Sequence, residues 1–336
     1  MLGSFFRIAV FSLVGISAWV AAPGFASAQA KPEVVRFGFY GGPRPWIIGK
    51  ALQMFDKDMG TKIDWVQFSS GADALTALAS GQVDISRMGS TATVAAIARG
   101  LSVEMIAMTG VIATSERLIA KDSIKSLPDL RGKRIAYPPG STAHFALMAA
   151  LKVAKLAAND VTLLSLKPAE MLAAWQRGDI DAAYVWGPFS HQMEGAGGRQ
   201  LLATKDLQQN GYYVWNNYVV RKEFAKQYPQ LVVQFLKTHE KARAMYQSDT
   251  GAMVKLIAGH LGQDESSVAD TMAGLYFPSL REQLSPQFLG PGGPILDAMK
   301  FQADFLVELG DLRSREIPKN FAPGVVTTYL EQAAGQ

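Results

Sequence analysis

The sequence contains no cysteine among its 336 residues, which excludes disulfides, thiolate metal sites and thiol nucleophiles. It also lacks the G-x-x-x-x-G-K-[ST] loop that binds nucleotide phosphates, so nucleotide hydrolysis is disfavoured. Its four histidines show no metal-ligand spacing, and we expect neither a metal nor any other cofactor. Charged residues make up only 18% of the chain, and the formal net charge of +4 is not gathered into a basic stripe. We therefore expect no nucleic-acid partner.

One long apolar run is present, and it lies near the N-terminus from Ile8 to Ala22. It follows the single charged residue Arg7 and precedes the small residues Ala26-Ser27-Ala28. This pattern predicts a secretory signal peptide over residues 1–28, with cleavage before Gln29. A membrane anchor is the alternative, but the run is shorter than the roughly 20 apolar residues that a span needs.

Beyond residue 28, strand-like and helix-like patterns alternate along the chain. Residues 35–40 predict a buried strand and residues 46–59 a helix, and further strands are predicted at 62–68 and 83–86. This order predicts an α/β protein in which helices cover parallel sheets. The length suggests two domains of roughly 150 residues each.

An internal repeat supports two related domains. The stretch ADALTALASGQVDI from Ala72 resembles AEMLAAWQRGDIDA from Ala169 at a constant offset of 97 residues, which pairs Asp84 with Asp181. The same offset places Tyr40 on Tyr137, each at the end of the first predicted strand of its repeat. A repeat with a matching order of elements predicts two similar lobes.

Two turns of similar composition follow predicted strands, Gly89-Ser90-Thr91 and Gly140-Ser141-Thr142. Each precedes a predicted helix, where free backbone N–H groups and the hydroxyls bind anions readily. The alternative is that these Ser and Thr residues are ordinary N-caps. Because open α/β sheets bind ligands at the carboxyl ends of their strands, two such turns on two lobes favour one shared anionic ligand.

Other candidate residues lie near these turns. His144 is three residues from Ser141, but no G-x-S-x-G elbow surrounds them, so we expect His144 to line a cleft rather than to catalyse. Glu116 precedes an apolar strand predicted to cross between the lobes, where it could bind a ligand ammonium or be a solvated charge. Trp46 and Trp186 lie at strand ends, where they could form aromatic walls of a binding site or simply belong to the core.

Five stretches carry a resemblance to a known family: SSGADALTALASGQVDI (69–85), MGST (88–91), SLPDLRGKRIAYP (126–138), AAWQRGDIDAAYVWGP (173–188) and VVRKEF (219–224). On these stretches the sequence resembles the taurine-binding members of the nitrate, sulfonate and bicarbonate group of ABC-transporter solute-binding proteins. The likeness runs in the same order along essentially all of residues 29–336.

The resemblance implies a type II periplasmic binding protein fold, with two Rossmann-like lobes and a ligand cleft between them. Lobe 1 is then residues 29–120 and 218–336, and lobe 2 is the inserted segment 121–217. It also implies a monomeric periplasmic protein that is not an enzyme. Such a protein captures taurine or a related small sulfonate and delivers it to the permease and ATPase subunits of an ABC importer.

The same resemblance assigns roles to individual residues. The sulfonate is expected at the two turns described above, with Tyr40 nearby, and Glu116 matches an acid that binds the ligand ammonium. Asn216 stands where taurine-binding members have Asp in the run LDVWVVRK, so this chain lacks one negative charge there, although the amide oxygen can still accept a hydrogen bond.

Three alternatives remain open at the level of the sequence. The same fold could bind a small amine or nitrogen compound, such as a ureide or a nitrate-like anion. An enzyme similar to the thiamine-pyrimidine synthases is less favoured, because the cysteine-rich motif of those enzymes is absent. The ligand-sensing part of a signalling receptor is the third alternative.

Overall fold

Two separate β-sheets organise the chain in the computed structural model, which describes residues 31–335. The predicted signal peptide at 1–28 lies outside the described residues. Within those residues the strands are β1 (Val34–Phe39), β2 (Lys62–Gln67), β3 (Ile85–Gly89), β4 (Val103–Ile112), β5 (Glu116–Lys121), β6 (Arg134–Tyr137), β7 (Thr162–Ser165), β8 (Ala182–Trp186), β9 (Gly198–Ala203), β10 (Trp215–Arg221) and β11 (Leu275–Tyr276).

Helices connect the strands and cover the sheets. They are α1 (Trp46–Ala51), α2 (Met54–Met59), α3 (Gly71–Ala79), α4 (Ser90–Ala98), α5 (Thr142–Val153), α6 (Pro168–Arg177), α7 (Phe189–Gly195), α8 (Lys222–Gln227), α9 (Pro229–Ser248), α10 (Thr250–Leu261), α11 (Glu265–Ala273), α12 (Leu280–Gln283), α13 (Ile295–Glu308) and α14 (Thr328–Ala334). None of these helices is both long and apolar enough to cross a membrane.

The two sheets share one topology. The larger sheet has the order β11-β4-β10-β3-β1-β2, and the smaller sheet has the order β7-β6-β8-β5-β9. In each sheet three strands are parallel, and the next strand, β10 or β5, runs antiparallel to them. The sheets are therefore mixed rather than wholly parallel, because one strand in each returns from the other half of the chain.

The repeat predicted from the sequence has a direct structural counterpart. Asp84 accepts hydrogen bonds from the backbone N–H of Arg36 at 2.9 Å and from its guanidinium at 2.9 and 3.2 Å. Asp181 accepts the same set from Arg134, at 2.9 Å from the backbone and 3.0 Å from each guanidinium nitrogen. Each aspartate thus joins the start of its third parallel strand to the start of the first, which explains why both repeats carry this residue.

We call the elements built on the six-stranded sheet, residues 31–112 and 215–335, the larger lobe, and residues 116–210 the smaller lobe. The predicted boundaries at 120/121 and 217/218 differ from these, since they fall inside β5 and β10. Both strands are almost wholly buried, so hydropathy does not mark where the chain changes sheet.

The helix predicted over residues 46–59 is in fact two helices. Gln53 takes a left-handed backbone conformation, with φ at 54°, between α1 and α2. A single left-handed residue breaks the helical hydrogen-bond ladder, and apolar periodicity alone does not reveal it. The break lets Phe55 turn into the aromatic core of the larger lobe, where its ring centroid lies 5.5 Å from that of Trp65.

Contacts between a Lys, Arg or His side chain and a carboxylate across the two lobes all run in one direction among the described residues, and the two histidine contacts are ion pairs only when the imidazole is protonated. In each one a basic side chain of the smaller lobe faces a carboxylate of the larger lobe. The pairs are His144–Asp311 (3.6 Å), Lys152–Glu308 (2.5 Å), Lys167–Asp73 (3.4 Å), His191–Asp270 (2.5 Å) and Arg117–Asp270. The three lysine and arginine pairs therefore place positive charge of the smaller lobe opposite negative charge of the larger lobe.

Candidate functional site

The first Gly-Ser-Thr turn joins β3 to α4, and Gly89 is its extended N-cap residue. The Ser90 hydroxyl accepts a hydrogen bond from Gln302 Nε2 at 3.0 Å, and the Gly89 N–H donates to the Tyr40 hydroxyl at 2.9 Å. Ser90 and Thr91 are buried. This turn is therefore fixed by the side chains of Tyr40, which follows β1, and Gln302 of α13 rather than exposed at a surface.

The second turn contains an N-cap at Ser141. Its hydroxyl accepts from the His144 backbone N–H at 3.2 Å and donates to the Pro138 carbonyl at 2.7 Å. Both bonds are local, as is typical of an N-cap, and they leave the hydroxyl without a general base. The next residue differs, because Thr142 Oγ1 donates to Glu116 Oε1 at 2.7 Å.

The two turns meet where the lobes touch. A Cβ atom on Gly89 would lie only 2.9 Å from Thr142 Cγ2, and one on Gly71 would overlap the Gly140 carbonyl oxygen. Contacts this close require glycine, since a side chain at either position would separate the backbones. The larger and smaller lobes thus place their turns at one location, which a ligand could contact from both sides.

Glu116 is the buried carboxylate at this location, with only 3% of its surface exposed. Its Oε2 atom has no hydrogen-bond partner within the described part of the chain. Burial raises the pKa of this carboxyl, although the hydrogen bond from Thr142 and the charges of Arg44 and Arg87 act in the opposite direction. An unpaired buried carboxylate oxygen is unfavourable, so Glu116 offers a strong acceptor to a ligand donor.

Arg87 is a site residue that the sequence analysis missed. It lies in β3 and is 2% exposed, yet no carboxylate of residues 31–335 forms an ion pair with it. Its Nη1 donates to the Tyr40 carbonyl at 2.5 Å, its Nη2 contacts Asn216 Oδ1, and its Nε is unpaired. Burial lowers its pKa, but a guanidinium stays protonated in proteins, so the cation requires an anion.

Arg44 is a second buried guanidinium that the sequence analysis missed. Only 2% of it is exposed, its Nη1 donates to the Pro43 carbonyl at 2.6 Å, and its Nε has no partner in the described chain. Burial lowers its pKa, as does the nearby charge of Arg87, while Glu116 acts to raise it. A lone arginine in the apolar strand ISRMG and another just after Gly41-Gly42 were the available sequence signals.

Tyr40, Trp186 and Asn216 complete the surroundings. The Tyr40 ring lies 6.2 Å from that of Trp186 and 5.5 Å from the Arg87 guanidinium carbon. Asn216 pairs with Gly89 in the ladder between β10 and β3, and its Nδ2 is unpaired within residues 31–335. We call the following set the buried site: Tyr40, Arg44, Arg87, Gly89, Glu116, Thr142 and Asn216.

Among the predicted site residues outside this set, Trp46 and His144 have other surroundings. Trp46 belongs to the aromatic core of the larger lobe, where it stacks on Trp65 at 5.4 Å. His144 stacks on Tyr137 at 4.4 Å and faces Asp311, and burial lowers its pKa. The structure therefore places His144 at the rim between the lobes and Trp46 among core rings.

Curated proteins of similar sequence are solute-binding proteins. The chain is 33% identical over 318 residues to the taurine-binding periplasmic protein of Escherichia coli K12, covering 93% of this chain and 97% of that protein. It is 29% identical over 260 residues to a putative aliphatic sulfonates-binding protein of the same organism, covering 76% and 79%.

Solved structures of similar fold include sulfonate-binding proteins. The alkanesulfonate-binding protein SsuA from Xanthomonas axonopodis pv. citri, bound to MOPS, has a TM-score of 0.75 at 24% identity and covers 89% of this chain and 100% of its own. The periplasmic aliphatic sulphonate binding protein SsuA from Escherichia coli has a TM-score of 0.69 at 25% identity, covering 85% and 95%. The predicted type II periplasmic binding protein fold is thereby confirmed. A profile of the NMT1/THI5 like family also matches residues 47–249, and the chain belongs to this family.

Proposed function

We propose that this protein is the solute-binding component of an ABC importer and that it captures taurine or a related small sulfonate between its two lobes. It would act in the periplasm as a monomer, without catalysis, and deliver the ligand to the permease of an ATP-driven transporter. The relatives described above support this class of function, since they include a taurine-binding periplasmic protein and a putative aliphatic sulfonates-binding protein.

The observation that carries the proposal is a pair of buried guanidiniums that form no ion pair with a carboxylate in the part of the chain that the structure describes. Arg44 and Arg87 are each 2% exposed, and the charges of both act on the Glu116 carboxyl. A sulfonate is permanently ionised and has three acceptor oxygens, which suits donors from several directions. Hydrogen bonds between charged groups are about twice as strong as neutral ones, so this end of the ligand supplies most of the affinity.

Glu116 gives the other end of the ligand a partner. Its free Oε2 can accept a hydrogen bond from an ammonium or a hydroxyl, while Thr142 occupies Oε1. A ligand bound at both ends would contact both lobes, since Glu116 and Thr142 belong to the smaller lobe and the arginines to the larger. Such bridging shifts the lobes toward their closed arrangement.

The proposal is tested by thermal-shift measurements with small sulfonates, followed by calorimetry on those that bind. A sulfonate at 100 times its Kd should stabilise the protein by about 2.7 kcal/mol, which is readily detected. Ethylammonium, which lacks the anionic group, should produce no shift.

Two arginine variants test whether the sulfonate binds at the buried site. Arg87→Met should weaken sulfonate binding by at least about tenfold, through loss of a charged hydrogen-bond donor. Arg281→Met, which removes an exposed arginine of α12, is the matched control and should leave the affinity unchanged. Absence of stabilisation by every sulfonate tested, or equal losses in both variants, would contradict the proposal.

A further inference from the structure

The buried site has an unbalanced charge. It contains two guanidiniums, Arg44 and Arg87, and one carboxylate, Glu116, which gives a net charge of +1 when the carboxylate is ionised. Within residues 31–335, the charges that act on Arg44 are those of Arg87 and Glu116.

Asn216 could have balanced this charge but does not. Its Oδ1 atom contacts Arg87 Nη2 in the position of an ion-pair acceptor, and it is an amide oxygen without charge. The site therefore keeps its excess positive charge in a region from which solvent is excluded. Charges interact far more strongly in such a region than they do at a surface.

We propose that the preferred ligand carries a net charge of −1, with a sulfonate bound by Arg44 and Arg87 and an uncharged donor, such as a hydroxyl, at the far end bound to Glu116. This inference rests on the proposed function and narrows its ligand class. A zwitterionic amino-sulfonate of the same size is disfavoured, because its ammonium adds a third cation to the site and leaves the net charge of +1 uncompensated.

Protonation of Glu116 would not reverse the preference for a hydroxyl over an ammonium at the far end of the ligand. Burial raises the pKa of this carboxyl, so its charged form is less favourable inside the site than it is in water. If it is ionised, a ligand of charge −1 neutralises the site. If it is protonated, the site carries +2, and an ammonium is opposed still more strongly.

Three sulfonates of equal chain length test the inference: 2-hydroxyethanesulfonate, 2-aminoethanesulfonate (taurine) and sulfoacetate. They carry the same sulfonate and differ in the charge at the far end, which is 0, +1 and −1 respectively. We expect calorimetry at pH 7 to give an affinity for 2-hydroxyethanesulfonate at least about tenfold higher than for either of the others.

A charge-restoring variant gives an independent test. Asn216→Asp brings the net charge of the site to zero, so it should strengthen taurine binding and weaken that of 2-hydroxyethanesulfonate, changing their ratio by at least about tenfold. Asn210→Asp makes the same substitution at an exposed position and should leave the ratio unchanged.

The outcomes separate the two proposals. Equal or tighter binding of taurine, or tightest binding of sulfoacetate, by the unmodified protein overturns the charge inference but leaves a sulfonate-binding protein. An unchanged ratio in a folded Asn216→Asp variant also overturns it. If none of the three compounds binds, the proposed function itself fails. If the Asn216→Asp variant does not fold, the affinities of the three ligands for the unmodified protein still test the charge inference.

Discussion

Asp181→Asn should destabilise the folded protein by about 1–2 kcal/mol at pH 7, because it removes the carboxylate that joins β8 to β6. The side chain accepts hydrogen bonds from the Arg134 backbone and from both guanidinium nitrogens of that residue, and Lys121 Nζ lies 3.5 Å away. The hydrogen bond from the Arg134 side chain is the main reason that the pKa of Asp181 falls from 3.8 to about 2.

The magnitude follows from that change in pKa. A difference of one unit between the folded and unfolded states corresponds to about 1.4 kcal/mol, so the full shift gives about 2.5 kcal/mol before any discount. The aspartate side chain is 20% exposed and that of Arg134 is 42% exposed, and solvent screening therefore reduces the expected effect. Because the pKa is lowered in the folded state, the stabilisation is present above pH 3.8 and is lost as the pH falls toward 2.

Urea unfolding followed by tryptophan fluorescence measures this directly. The difference in the free energy of unfolding between the unmodified protein and Asp181→Asn should be about half as large at pH 3 as at pH 7. Asp179→Asn is the control, since that side chain is 54% exposed and pairs with an exposed arginine, and it should change stability by less than about 0.5 kcal/mol. A deficit for Asp181→Asn that stays constant between pH 7 and pH 3, or an equal effect at Asp179, would refute the reasoning.

Three further predictions concern other parts of the molecule. Gly71→Ala should weaken ligand binding at least about tenfold by calorimetry, since its Cβ would hold the lobes apart, whereas Gly195→Ala, with nothing within 4 Å, should bind normally. Burial lowers the pKa of His239 to about 3, so the free energy of unfolding should fall by about 2 kcal/mol between pH 7 and pH 5. Urea titrations of the His239→Gln variant should no longer show this pH dependence. Asp270→Asn, which loses two basic partners across the lobes, should make ligand dissociation faster in stopped-flow measurements, and an unchanged rate would show that these pairs do not hold the closed form.

The order of strands and helices could be predicted because it is encoded locally. The apolar patterns located β1, β2 and β3, the parallel strands of the larger sheet, and the repeat identified Asp84 and Asp181 as equivalent residues, which share one hydrogen-bond pattern in the structure. The break at Gln53 was missed, because a single left-handed residue leaves no trace in hydropathy. The predicted boundary at 120/121 falls inside β5 for a similar reason, since a buried strand has the same composition in either lobe.

The candidate site was only partly predictable, because its chemistry depends on contacts distant in sequence. The turns and Glu116 could be found from local patterns. Arg87 could not, since its contact with Asn216 joins residues 129 positions apart and its burial depends on packing of the whole lobe. Trp46 was predicted at the site because it follows a strand, but position at a strand end does not distinguish a ring that faces a ligand from one that stacks on Trp65.

The uniform polarity of the ion pairs between the lobes has a consequence for ionic strength. When the lobes swing apart, one rim is left basic and the other acidic, so they attract each other over a distance comparable to the Debye length, about 8 Å in physiological salt. High salt shortens the range of this attraction and therefore favours the open arrangement of the lobes, even when the bound solute is electrically neutral. The rate at which this protein releases its ligand should therefore depend on the salt concentration of the solution.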